Sequence, residues 1–247
     1  MMEGLKEALQ FITKLKEESM EPKVLEINGE TYCDKDLKRY CYFPMASYIQ
    51  VNTLTALVDY IKGKPEELRE SMLLNVISPT EVVLISGLIG ERDRETLMLA
   101  RAIVNEFHFD QYYDQERFLI EIQANFLETE DLQKIKMVSG NIQAGTTANY
   151  DDDGVSQKTT INTGIANKTD VIVPNPVTLC PHRTFGEVMQ PKSDYVFRIK
   201  DTDHGPAFKL VEADGGLWKK TAMTAIKEYL EYELSEELEK YHITVIA

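Results

Sequence analysis

Three prolines, Pro174, Pro176 and Pro181, interrupt an apolar run that starts at Val171 and reaches Phe185. Each lacks a backbone N–H, holds φ near −65° and pushes the residue before it out of the helical region. No helix survives that spacing, so residues 174–181 are expected as a rigid extended ribbon. Two strand patterns follow at 194–200 and 207–213, a hairpin around Asp203-His204-Gly205-Pro206. An acidic turn at Asp214, Gly215 and Gly216 then leads into an amphipathic helix over 217–234. The ribbon carries no catalytic signature, which points to shape or assembly before chemistry.

Ahead of the ribbon, periodicity separates helix from strand. Leu5, Ala8, Leu9, Ile12 and Leu15 recur at helical spacing with Lys and Glu between them, which predicts an amphipathic helix ending near Glu18. Pro22 forbids its continuation. Asn28-Gly29 lies between two short strand patterns and suits the positive φ angles of a type I′ turn. Residues 34–50 are aromatic-rich without a period and read as an arm or long loop. Asn52 or Thr53 caps a helix with Leu54, Leu57, Val58 and Ile61 on one side, stopping at Gly63. Strands are expected at 72–77 and 80–85. The stripe Leu97, Ala100, Ile103, Val104 and Phe107 predicts a helix over 91–107. Asp114 opens a further helix through Phe118, Ile122 and Phe126, and Thr129 another through Leu132, Ile135 and Val138.

Residues 140–154 change character to Gly, Thr, Asn, Gln and Asp, the composition of a loop or hinge. Val155, Gln157, Thr159, Ile161, Thr163 and Ile165 then alternate with polar partners over a length unusual for a strand inside a compact domain. A last strand is expected at 241–247, joining the sheet and burying the C-terminus. The fold class is therefore α+β, with mixed and antiparallel sheets, packed helices and an extended β arm, and not a βαβ series. Residues 1–51 read as an N-terminal helix with arm and hairpin. Residues 52–247 read as the main α+β domain, with an extended loop and ribbon at 140–170.

The sequence holds no Walker A loop, no G-x-G-x-x-G, no H-E-x-x-H and no G-x-S-x-G. None of His108, His182, His204 and His242 sits at metal-ligand spacing with another. Cys180 and His182 would face one side of an extended chain, but Pro181 separates them and no orienting Asn or Asp is adjacent. Cys33, Cys41 and Cys180 make an odd count without C-x-x-C, as expected of free thiols in a reducing compartment. Asp151-Asp152-Asp153 lacks the spaced ligands of a calcium loop and reads as a solvated tip. Asp214 is expected to cap the following helix and Trp218 to pack in the core. No catalytic, metal or cofactor residues are expected, and the chain reads as non-enzymatic.

Charge narrows the partners. The formal net charge is −14, from 41 acidic and 27 basic residues. Phosphate binding needs clustered Lys and Arg, so direct nucleic-acid binding is disfavoured. Self-association has to bury enough apolar area to overcome like charge. The start, Met1-Met2-Glu3-Gly4-Leu5-Lys6-Glu7, alternates charge with apolar residues, unlike a signal peptide, and no apolar run reaches the length of a membrane span. A soluble intracellular chain with no membrane partner is expected.

The segments VPNPVTLCPHRTFGEVMQP (173–191), YVFRI (195–199), EADGGLWK (212–219) and DDGVSQ (152–157), with Asp93-Arg94-Glu95, together resemble the YfdQ-like family of phage and prophage proteins. The resemblance covers nearly the whole chain and is densest from Asp152 onward. Cys180-Pro181-His182 departs from the family pattern, which reads more like Ala-Pro-Tyr there and so counts further against a Cys–His dyad. The resemblance implies a phage or prophage origin and a virus-related role in the cytoplasm of an infected or lysogenic bacterium. It implies further a link to HK97-like capsid and encapsulin-like shell proteins, whose subunits are α+β plates with extended arms ordered by neighbours. The expected function is a self-assembling, homo-oligomeric shell subunit, icosahedral in its closed form and of unknown cargo. Val155, Thr159, Ile161, Thr163 and Ile165 are its expected assembly residues. Two alternatives stand beside it. One is a phage small-molecule or nucleotide binder using a pocket near Arg183, Gly215 and Gly216, and the other is a nucleic-acid accessory protein.

Overall fold

The computed structural model describes residues 2–35, 45–64, 71–89, 92–142, 157–162, 168–173 and 175–247. Two compact units divide the chain, Met1–Met45 and Ala46–Ala247. The division falls ahead of the boundary at 51 read from the sequence, because residues 49–51 pair into a sheet of the second unit.

In the first unit, helix α1 (Met2–Met20) precedes a hairpin of β1 (Val24–Ile27) and β2 (Glu30–Cys33). Asn28 (φ 56°) and Gly29 (φ 81°) both occupy the left-handed region that a type I′ turn demands, and Ile27 pairs with Glu30. The Lys23 N–H donates to Asp34 Oδ1 at 2.8 Å and closes the open end of the hairpin.

The second unit holds two five-stranded sheets, each with helices on one face. The first takes the order β14-β4-β5-β6-β3. Here β3 is Ile49–Val51, β4 Met72–Ser78, β5 Glu81–Ser86, β6 Thr96–Arg101 and β14 Ile243–Ile246. The central strands are antiparallel, whereas the edges β14 and β3 run parallel to β4 and β6. Met72, Leu74 and Val76, at alternate positions of β4, share a core with Leu57 and Ile61 of α2 (Leu54–Gly63) and Ile226 and Leu230 of α5 (Leu217–Glu233). Thr53 caps α2, its side chain accepting from the Ala56 N–H at 3.2 Å. Short α6 (Ser235–Lys240) leads into β14, whose Ile243 and Val245 are buried while Ile246 and Ala247 stay exposed, so the C-terminus itself is not covered.

The second sheet is antiparallel throughout, in the order β7-β13-β12-β11-β8. These strands are β7 (Tyr113–Asp114), β8 (Phe126–Leu127), β11 (Val177–Pro181), β12 (Ser193–Thr202) and β13 (Gly205–Glu212). Helices α3 (Gln115–Asn125) and α4 (Glu130–Asn141) pack Phe118, Ile122, Ile135 and Val138 with Leu179, Phe197 and Phe208. Asp114 and Thr129 cap them, accepting from the N–H groups of Arg117 (2.8 Å) and Leu132 (3.1 Å). A separate antiparallel pair, β9 (Gln157–Asn162) with β10 (Lys168–Val173), belongs to neither large sheet and lies beside α4. Among the described residues the fold is α+β.

The expected helix over 91–107 is not formed by its described residues, 92–107. Thr96–Arg101 is strand β6, with Met98 and Ala100 buried and Ile103 exposed. Antiparallel β5 and parallel β3 satisfy its two edges, and this long-range pairing outweighs a weak helical stripe. The proline ribbon is extended as expected over 177–181, but as an inner strand and not a free element. Val177 and Leu179 pair with Tyr195 and Ser193, and Cys180 and Pro181 pair with Leu127 and Phe126.

Candidate functional site

The residues expected to carry assembly fall on or beside β9. Thr159 pairs with Val171 and Ile161 with Thr169. Val155, Thr163 and Ile165 lie outside the described residues, as does Asp151-Asp152-Asp153. The first unit presents an exposed apolar surface. Leu5, Leu9, Ile12 and Leu15 of α1 are 48–64% exposed, and Val24, Leu25, Ile27 and Tyr32 of the hairpin are exposed as well. On α1 the apolar residues make a stripe wide enough to need a cover. Glu3, Glu7, Glu17 and Glu18 are set against Lys6, Lys14 and Lys16, so this helix is nearly neutral within an acidic chain.

A second feature is built on the loop between β11 and β12. It starts and ends in one sheet yet inserts Phe185 and Val188 into the core of the other. Gln190 is buried and holds the loop from within. Its Oε1 accepts from the N–H groups of Arg183 (2.9 Å) and Thr184 (3.2 Å), and its Nε2 donates to the Phe185 carbonyl (2.9 Å). The Thr184 hydroxyl donates to the Pro79 carbonyl, and Glu187 Oε1 accepts from the Thr55 N–H at 2.9 Å.

Inside this frame Arg183 is 8% exposed. Its Nη1 donates to the Tyr195 hydroxyl (2.9 Å) and Glu212 Oε1 (3.0 Å), and its Nη2 to the Pro191 carbonyl (3.2 Å) and Ser193 Oγ. Trp218, expected in the core, instead places its ring 3.9 Å from the guanidinium carbon. Ser193 Oγ donates to Asp214 Oδ2 (2.6 Å), and Asp214 accepts from the N–H groups of Gly216 (2.9 Å) and Trp218 (3.4 Å), capping α5 as expected. Burial opposes ionisation of Asp214, but these bonds and the Arg183 charge hold its carboxyl below the usual range. Burial lowers the Arg183 pKa and raises that of the Tyr195 hydroxyl, which stays a neutral phenol.

Beside this network lies a cleft of about 460 Å³. Phe107, Phe109 and Pro181 form an apolar wall. Phe109 stacks on Tyr195 at 5.1 Å and lies 4.9 Å from Phe107, which ties the wall to the core. Asn125, Arg183 and Trp218 form the polar wall, and each carries a buried atom without a hydrogen-bond partner: Asn125 Oδ1, Arg183 Nε and Trp218 Nε1. Asn125 is 4% exposed, and its amide is oriented by Nδ2 donating to the Glu121 carbonyl and Oε2, both at 2.9 Å. An unmet buried donor or acceptor costs about 1–3 kcal/mol, so three around one cleft call for a physical reason.

Cys180 and His182 do not act together. The thiol is buried and donates to the Gln190 carbonyl at 3.3 Å, and burial pushes its pKa up. His182 is exposed, with its backbone N–H donating to the Asn125 carbonyl at 2.8 Å. Strand β11 ends at Pro181, so the alternation that would align the two side chains stops between them. A buried thiol with a raised pKa makes a poor nucleophile. Among the described residues, no group of three His, Cys, Asp or Glu is placed to hold a metal ion, and no helix is long and apolar enough to cross a membrane.

Sequence reasoning pointed to Arg183 beside the Gly215-Gly216 turn. The cleft is lined by Arg183 and by Trp218 and Lys219 at the start of α5, but not by Gly215 or Gly216. That reasoning gave no role to Asn125, Gln190 and Tyr195, although Gln190 and Tyr195 lie in the segments 173–191 and 195–199, because the three come together only through the sheet order. In comparisons with protein-family models, curated proteins and solved structures, nothing matches the chain.

Proposed function

We propose that this chain is a self-associating structural subunit without enzymatic activity, a phage-derived protein of the capsid-like or encapsulin-like kind working in a bacterial cytoplasm. The observation that carries this reading is the first unit, where α1 and its hairpin present Leu5, Leu9, Ile12, Leu15, Val24 and Ile27 to solvent. Covering what remains exposed of such aliphatic side chains contributes roughly 1–2 kcal/mol each. Further copies of the same chain suit the role of cover, because α1 is nearly neutral and escapes most of the like-charge repulsion carried by the whole chain. Among the described residues, β9 and β10 pair only with each other, which leaves their outer edges for a neighbour. An HK97-like shell is the specific form of the reading. The sequence resemblance supports it, together with an N-terminal helix and hairpin, and a ribbon outside both large sheets. Burial of Cys180 away from His182 favours the non-enzymatic part.

Size-exclusion chromatography with negative-stain microscopy tests the proposal. Large symmetric particles are expected from the purified chain, and a folded, small species from the double variant Leu9→Glu, Ile12→Glu. A monomer or small dimer from the unmodified chain at micromolar concentration removes the reading.

A further inference from the structure

We propose that the α1 stripe of one copy docks on the outer face of the β14-β4-β5-β6-β3 sheet of a second copy. This rests on the self-association reading and names the surface that the stripe meets. Strand alternation assigns the face. Leu74 and Val76 of β4, Val82 and Leu84 of β5, and Met98 and Ala100 of β6 point into the core shared with α2 and α5. The residues between them point the other way. There Leu73 pairs with Ile85, and Ile246, Asn75, Val83 and Leu99 pair in turn across four strands. Leu73, Ile85 and Leu99 belong to neither core and are half-buried, and Ile246 is 42% exposed. Val83, at 8% exposure the most shielded of them, belongs to neither core either. A sheet that is apolar on both faces needs a layer on each, and α2 and α5 supply one.

Charge and size select α1 as the missing layer. At net charge −14 most surfaces of two copies repel. The paired residues of this face carry no charge, and Glu81 and Arg101 beyond them neutralise each other at 3.0 Å. Helix α1 is nearly neutral, and its Leu5, Leu9, Ile12 and Leu15 are 48–64% exposed. The two surfaces therefore meet without the general repulsion. Leu5 to Leu15 covers ~15 Å of helix axis at ~1.5 Å per residue. From β14 to β6 is ~14 Å, at ~4.8 Å per strand spacing. Stripe and face are different patches, so each copy offers both. Such a head-to-tail contact adds copy after copy until the rotation closes.

The test is complementation between two full-length variants, read by sedimentation velocity at micromolar concentration. Leu9→Glu, Ile12→Glu disables the stripe and keeps the face. Leu73→Glu, Leu99→Glu disables the face and keeps the stripe. Glu on both disabled surfaces prevents a new ion pair between them. Each variant alone is expected to be a monomer. Their equal mixture is expected to give a one-to-one dimer, the intact stripe of one copy on the intact face of the other. Leu73→Thr, Leu99→Thr removes the apolar contact with a β-branched residue and is expected to behave alike. It replaces the Glu pair if the urea midpoint shows that pair unfolding the sheet. A face variant that assembles like the parent chain overturns the docking and leaves self-association standing. So does a mixture that stays monomeric, or a dimer formed by either variant alone. A monomeric parent chain removes both.

Discussion

Asp214 ties together the end of β13, the start of β12 and the first turn of α5. Its carboxylate accepts from Ser193 Oγ, which in turn receives Arg183, and from the Gly216 and Trp218 N–H groups. Burial penalises the charge, yet these donors and Arg183 win, and the folded pKa lies below the usual value. An unfolded aspartate titrates near pH 3.9. A depressed folded pKa therefore contributes stability that is fully present above the unfolded value. It is lost as pH falls through the folded value. Asp214→Asn keeps an acceptor oxygen but removes the charge. The gap in urea midpoint between the parent chain and this variant is expected to be constant near neutrality and to shrink from about pH 4 downward. A gap unchanged down to about pH 2 means that the carboxylate is not held by the fold.

The β11–β12 loop does for the two sheets what Asp214 does for three chain segments. Phe185 is 1% exposed in the core beneath the β4–β5–β6 sheet, although both strands flanking the loop belong to the other sheet. Phe185→Ala leaves a cavity in that core and is expected to cost about 3–5 kcal/mol, read from urea denaturation. A loss below about 1 kcal/mol would mean that the core closes without the loop. Much around this clamp was legible in the sequence, because the responsible signals are local. Thr53, Asp114 and Thr129 cap the helices they precede, Asn28-Gly29 turns its hairpin, and Asp214 caps α5. Strand β6 was not legible, since the pairs that decide it come from β5 and β3, and Leu97, Ala100 and Val104 fit a helical stripe just as well. The cleft was half legible. Arg183 and Trp218 stand out as sequence, whereas Asn125 reaches them only because β8 pairs with β11.

Charge and apolar surface oppose each other over the whole chain, and salt separates their effects. At net charge −14, copies repel at long range, while on the proposed reading the exposed stripe of α1 is what joins them at contact. Salt screens the repulsion over a length of about 10 Å at 0.1 M and about 3 Å at 1 M. It leaves apolar contact intact or strengthens it. Self-association driven by α1 should therefore rise with ionic strength. Binding carried by Lys and Arg contacts to phosphate falls with salt, because it depends on released counterions. Sedimentation velocity from about 50 mM to about 500 mM salt separates the two cases. The assembled fraction is expected to grow across that range for the parent chain. The Leu9→Glu, Ile12→Glu variant should stay small throughout, since it adds charge and removes the apolar contact together. Assembly that dissolves as salt is added would show that ion pairs, not the α1 stripe, join the copies, and the stripe would then need another partner.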